Sequence, residues 1–99
     1  MSAYVIADIT VTDPEMYRGY MALSGPAIAA FGGRFVVRGG SPVVLESDWE
    51  PSRMVVVEFD TVDQARAWYD SPEYREARDA RAGAARMRMV LVEGVEPPA

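Results

Sequence analysis

The sequence predicts an α+β fold of the ferredoxin-like kind, a β-α-β-β-α-β chain with one antiparallel sheet, and three observations carry that prediction. Segments of two-residue alternation are separated by two helical stretches with capped starts. The alternating segments number four, enough for one small sheet. Sorted by parity, one face of that sheet is wholly apolar and the other is not, which is the signature of helices packed on one side only. The whole chain, residues 1–99, reads as a single domain of this kind, with 95–99 as a frayed, disordered tail.

Residues Ala3 to Val11 alternate Val5, Ala7, Ile9 and Val11 against Tyr4, Ile6, Asp8 and Thr10, a strand pattern. Asp13-Pro14 then opens a helix, with Asp13 as N-cap and Pro14 at the first turn, where its missing N–H costs nothing. Its inward stripe is Tyr17, Tyr20, Met21, Ser24, Ile28 and Phe31. Gly25-Pro26 inside that stripe predicts either a kink or a fresh helical start, and Gly32-Gly33 ends the element. A second strand runs Arg34 to Arg38 and stops at Gly39-Gly40. Residues Pro42 to Glu46 read as a short arm of an edge hairpin, followed by a loop from Asp48 to Ser52. Arg53 to Phe59 is the clearest strand. Thr61-Val62-Asp63-Gln64 has the spacing of a capping box and begins a helix through Tyr69. Ser71-Pro72 restarts it towards Gly83, and Met87 to Glu93 is the last strand.

Parity assigns Val5, Ala7, Ile9, Phe35, Val37, Val55, Val57, Phe59, Met87, Met89 and Leu91 to the helix-covered face. The other face mixes Ile6, Val36, Met54, Val56, Val90 and Val92 with Tyr4, Asp8, Arg34, Arg38, Glu58 and Arg88. Left in water, that apolar set would form a contiguous patch of the kind that marks an interface or a ligand cleft. A homodimer whose two sheets face each other around a partly polar cavity follows from it.

Composition narrows the chemistry. The chain has no His, Cys or Lys, and its ten basic residues are all arginine. Zinc, copper and the usual haem ligation lose their ligands, a thiol nucleophile or Schiff base is excluded, and so is a Ser-His-Asp triad. No metal and no cofactor is therefore expected. A net charge of −5 makes nucleic acid a poor partner. No apolar run approaches the ~20 residues of a membrane span, and no basic, apolar leader opens the chain, so a cytoplasmic location and no membrane partner are expected.

Proton chemistry then rests on carboxylates near guanidinium groups. Arg38 and Glu46 flank the turn residues Gly39 to Pro42, and a hairpin there brings them together, Arg38 to anchor an anionic group and Glu46 to act as general base. A plain cross-strand salt bridge explains the same spacing. Asp8, Tyr4, Glu58 and Arg88 on the open face, with Trp49 at its rim, complete the candidate ligand-binding set. Trp68 and Tyr69 read as core. The charges from Glu73 to Arg81 read as a solvated helix face, and Glu46, Asp48 and Glu50 as a weak acidic cluster.

The stretches Gly32-Gly33-Arg34-Phe35-Val36-Val37-Arg38-Gly39-Gly40, Val44-Leu45-Glu46 with Asp48-Trp49, Val57-Glu58-Phe59, and Ala65-Arg66-Ala67-Trp68-Tyr69-Asp70-Ser71-Pro72-Glu73-Tyr74 with Arg78 resemble the "domain of unknown function 1330" family. The likeness runs from Tyr4 to about Gly94, with Ser47 departing from the glycine expected there. That family belongs with the dimeric α/β-barrel proteins, so the resemblance implies a homodimer with facing sheets, but no reaction. Its wider superfamily includes cofactor-free monooxygenases and isomerases. The leading functional reading is a dimer binding an unidentified small polar compound, extended to cofactor-independent proton transfer. The alternative is a non-catalytic ligand-binding or stress-associated dimer whose charge pairs are structural.

Overall fold

In the computed structural model, which describes residues 2–95, the elements follow the order β1 (Ala3–Val11), α1 (Pro14–Ala30), β2 (Arg34–Gly40), β3 (Arg53–Phe59), α2 (Val62–Tyr69), α3 (Pro72–Ala80) and β4 (Ala85–Glu93). The sheet has the order β2-β3-β1-β4, and each neighbouring pair is antiparallel. This is the expected ferredoxin-like plan, with the second helical layer divided into α2 and α3. Of the expected tail at 95–99, residues 96–99 lie outside the described residues.

Each helix starts where its cap dictates. Asp13 accepts a hydrogen bond from the Met16 N–H, Thr61 from Gln64 and Ser71 from Tyr74, each satisfying an otherwise orphaned donor. The return half of the Thr61 box is not made. Gln64 instead donates from Nε2 to the Phe31 carbonyl at 2.9 Å, pinning α2 to the end of α1. The proposed break at Gly25-Pro26 does not divide the first helix: α1 runs unbroken with Pro26 inside it. It ends at Gly32, whose φ of +77° suits glycine.

The core lies between the sheet and the helices. Val5, Ala7, Ile9, Val57 and Phe59 are buried from the sheet, and Tyr17, Tyr20, Ile28, Trp68 and Tyr74 from the helices. Its centre is aromatic: Trp68 lies 4.2 Å from Tyr74 and 5.4 Å from Phe59, ring centre to ring centre. Tyr20 and Tyr74 join their hydroxyls at 2.8 Å inside it.

Three expectations are corrected. Residues 42–46 form no strand; the whole stretch from Ser41 to Glu50 is exposed loop, because Val43, Val44 and Leu45 find no sheet neighbour to pair with. The second strand does not stop at Gly39-Gly40 but passes through them, with register shifts between Phe35 and Val37 and between Arg38 and Gly40. The first shift inverts parity: Val37 stands opposite Val56 on the open face, and Arg38 stands opposite Val55 on the helix face. Finally, Tyr69 is exposed rather than core, with Arg78 stacked 4.4 Å above its ring.

Candidate functional site

Strand β3 divides its side chains between the two faces, and each face gathers polar groups. On the helix face, Arg53 pairs across the sheet with Ile9 and is half-buried. Its guanidinium lies directly beneath Gly39, where a Cβ would stand 2.7 Å from Cζ; glycine with φ of +75° makes that approach possible. The Arg53 Nε is sealed from solvent and has no hydrogen-bond partner. Arg38, turned to this side by the bulge, lies 4.2 Å over the Phe35 ring.

Both arginines line a crevice between α1 and the sheet, of about 40 Å³, with Tyr17, Ser24, Phe35 and Val55 among its walls. No carboxylate among the described residues lines it. Burial pushes the Tyr17 phenol above its ordinary range, and the Arg53 and Arg81 guanidiniums beside it partly oppose that push. Arg81 folds back over the Tyr20 ring at 5.8 Å, and its Nε is also buried and unpartnered. The charged stretch of α3 is thus not a uniformly solvated face: Arg78 and Arg81 fold onto rings, and among the described residues neither forms an ion pair.

The open face carries two polar ends around an apolar middle. At one end Tyr4 Oη donates to Glu58 Oε2 at 3.2 Å, and Arg34 bridges Glu58 at 3.1 Å and Asp60 at 3.4 Å. Hydrogen bonding from Ser2 and then Tyr4, together with the Arg34 charge, holds the Glu58 carboxyl below the usual carboxylate range. At the other end Asp8 accepts from the Ser52 N–H at 3.0 Å and from Trp49 Nε1 at 3.4 Å, so this carboxylate anchors the loop that precedes β3. Arg88 stands opposite Asp8 in the ladder but forms no ion pair with it. Between the ends Val37, Val56, Ile6 and Val90 face one another across the strands, Val90 exposed by 59%, while Val92, exposed by 46%, stands opposite Tyr4.

The expected Arg38–Glu46 pair is not brought together. Glu46 sits on the exposed loop, while the bulge sends Arg38 to the opposite face of its strand. Nor are Glu46, Asp48 and Glu50 gathered: among the described residues no three carboxylates are placed to hold a metal ion. Tyr17, Arg53 and Arg81 were not singled out from the sequence. For Arg53 the signal was present, since its parity with Val55, Val57 and Phe59 puts a charge on an otherwise apolar face. A second, larger groove of about 280 Å³ lies between α2 and β4, walled by Trp68, Met89 and Val90, with Arg66 and Asp70 as exposed charges of opposite sign.

No helix among the described residues is long and apolar enough to cross a membrane. No curated protein matches the chain. Solved structures do. A protein of unknown function from Rhodopseudomonas palustris is 22% identical, with 97% of this chain and 84% of that one covered and a TM-score of 0.76. A dimeric ferredoxin-like protein of unknown function from Jannaschia sp. is 15% identical over 95% of this chain and 100% of that one, with a TM-score of 0.71. SnoaB, a cofactor-independent oxygenase from Streptomyces nogalater, is 16% identical over 97% and 95%, with a TM-score of 0.68. At these identities the likeness is one of fold, the ferredoxin-like fold already traced strand by strand. The sequence itself goes further: residues 2–95 match the family model described as domain of unknown function DUF1330, and the chain belongs to that family.

Proposed function

We propose that this chain works as a cytoplasmic homodimer, its open sheet faces together, and that each subunit binds a small polar organic compound in the crevice under α1. The dimer is supported by the apolar row of Val37, Val56, Ile6 and Val90 across the four strands of the open face, with exposed Val36 and Val92 beside it, and by structural neighbours described as dimeric. Tyr4, Glu58 and Arg34 at one end of the patch, and Asp8, Arg88 and Trp49 at the other, frame the seam as its polar rim.

The observation that carries the binding reading is a crevice lined by Arg38, Arg53 and the Tyr17 phenol, with no carboxylate to neutralise them. Proton transfer by Arg38 and Glu46 has less support, because a general base must reach its proton within hydrogen-bonding distance and Glu46 stands on an outer loop. Glu58 is a weakened base and is engaged by Tyr4 and Arg34. Oxygenation of the kind named for SnoaB rests on fold alone. Binding without turnover is the reading this lining favours.

Two measurements test it. Sedimentation velocity should give a dimer for the wild type and a monomer for Val36→Asp; a folded wild-type monomer at micromolar concentration overturns the dimer. A thermal-shift screen of small polar metabolites should give stabilising compounds whose effect falls in Arg38→Ala. Hits indifferent to Arg38→Ala, and converted to product, would favour a catalytic site elsewhere.

A further inference from the structure

We infer that the crevice under α1 is a carboxylate site, with Arg53 as its inner anchor, Arg38 at its mouth and the Tyr17 hydroxyl as a third contact. This rests on the binding reading above and names the ligand class: a small organic acid with a planar carboxylate head and an apolar or aromatic body.

The argument starts from an unbalanced charge. A guanidinium withdrawn from water needs a counter-charge or a full set of acceptors, since a half-buried cation with neither is costly to the fold. Arg53 has neither. Its Nε is buried without a partner, and the ion pairs among the described residues all belong to Arg34. The Tyr17 phenol beside it offers an acceptor but no counter-charge. Arg81, also beside Tyr17, is equally without a carboxylate.

Acid is not scarce in this chain, which carries fifteen Asp and Glu residues against ten Arg. Yet none of those among the described residues lines the crevice. Among the described residues the fold keeps its carboxylates out of a crevice where two guanidiniums meet, and that leaves the counter-charge to come from outside. Guanidinium presents forked donors that match a planar carboxylate two-to-two.

Size selects the head group. A volume of about 40 Å³ is room for roughly three water-sized groups, enough for a carboxylate but not for a whole organic molecule. The remainder of the ligand therefore lies along the mouth, where the Phe35 ring under Arg38 offers an apolar surface. The strand bulge and Gly39 belong to the same device. One turns Arg38 inward, and the other lets the backbone close over Arg53.

The test uses the intact wild-type chain and three probes: benzoate, its neutral isostere benzamide, and inorganic phosphate. Binding is followed by titration calorimetry and by the NMR signals of Tyr17 and Val55, with Arg75→Met, at an exposed position of α3, as the control. The expected result is benzoate binding that weakens about 10- to 100-fold in Arg53→Met, as loss of a charged hydrogen-bonded pair predicts, and is unchanged in Arg75→Met. Benzamide should bind weaker by a similar factor. If Arg53→Met does not fold, Arg38→Met and the benzamide comparison decide. Equal binding of benzoate and benzamide overturns the carboxylate site while leaving the small-molecule reading intact. Phosphate binding tighter than benzoate also overturns it, in favour of an inorganic anion site. Silence of the Tyr17 and Val55 signals towards every probe at millimolar concentration, together with a thermal-shift screen without hits, overturns both.

Discussion

The hydroxyl pair of Tyr20 and Tyr74 makes the alkaline limb of the stability curve a quantitative test of the core. Burial pushes the Tyr20 phenol far above its ordinary value near 10, and the neighbouring Tyr74 adds to the push. The folded chain therefore keeps a proton that the unfolded chain releases above pH 10. A raised folded-state pKa contributes stability that is complete below the unfolded value and is lost as pH climbs towards the folded one. The loss is about 1.4 kcal/mol per pH unit, and integrates to about 1.4 kcal/mol at pH 11. Tyr20→Phe removes the group that titrates, and it leaves the buried Tyr74 hydroxyl without its partner at a cost of about 1–2 kcal/mol at neutral pH. Two urea-unfolding series, at pH 8 and pH 11, measure the outcome, with the buried Trp68 as the fluorescent reporter. The gap between wild type and Tyr20→Phe should shrink by about 1.4 kcal/mol between them. A gap that stays constant would mean that Tyr20 ionises as easily folded as unfolded, and the buried pair would not be what the geometry says it is.

Three further perturbations probe the frame around the crevice and the seam. Gly33→Ala sets a methyl 2.6 Å from the fully buried Phe59 ring and 2.7 Å from Ile28, so thermal melting should report a loss of about 1–3 kcal/mol; an unchanged melting temperature would contradict the packing. Gly39→Ala combines a left-handed backbone at φ of +75° with the Arg53 contact at 2.7 Å, and should cost about 1–2 kcal/mol while weakening any ligand held by Arg53. Glu58 is held below its ordinary range, so its stabilising share is present above the unfolded pKa and is lost as pH falls through the folded one. Unfolding of Glu58→Gln should therefore depend less on pH on the acid side than that of the wild type, and parallel acid titrations would refute this.

Helix starts and strand centres were legible because they depend on local chemistry. Asp13-Pro14, Thr61 and Ser71-Pro72 each pair an oxygen-bearing cap with a first turn that needs it, and all three caps form. Parity worked for β1, β3 and β4, whose alternation has no interruption. Long-range choices were not legible. Gln64 fits the reciprocal bond of a capping box, but the Phe31 carbonyl lies closer in the folded chain and takes its amide. Arg78 and Arg81 have helix-surface spacing, yet a long aliphatic stem lets each fold back on a ring that only the tertiary structure brings near. Sequence spacing counts residues along one element and is blind to what arrives from another.

The case of Arg38 goes further, because there the same residues support two incompatible readings. Gly39-Gly40 after an alternating strand ordinarily signals a turn, and a turn would put Arg38 on the open face opposite a returning arm that carries Glu46. Glycine equally permits an irregular edge strand to continue, since it accepts the positive φ and close backbone approach that a bulge needs. What decides between them is the packing of Arg53. With its guanidinium occupying the space beneath residue 39, the chain gains a covered strand end by running on over it, whereas a hairpin would leave that charge uncapped and extend Val43, Val44 and Leu45 along an edge with no partner. Once β2 continues, the shift after Phe35 carries Arg38 across the sheet, and the candidate chemistry moves from the open face, proposed above as the dimer face, to the face beneath α1. A single extra residue in an edge strand thereby separates two surfaces that parity alone would have superimposed: an apolar one on one side of β3, with Met54 and Val56, and a crevice holding Arg53, Arg38 and Val55 on the other.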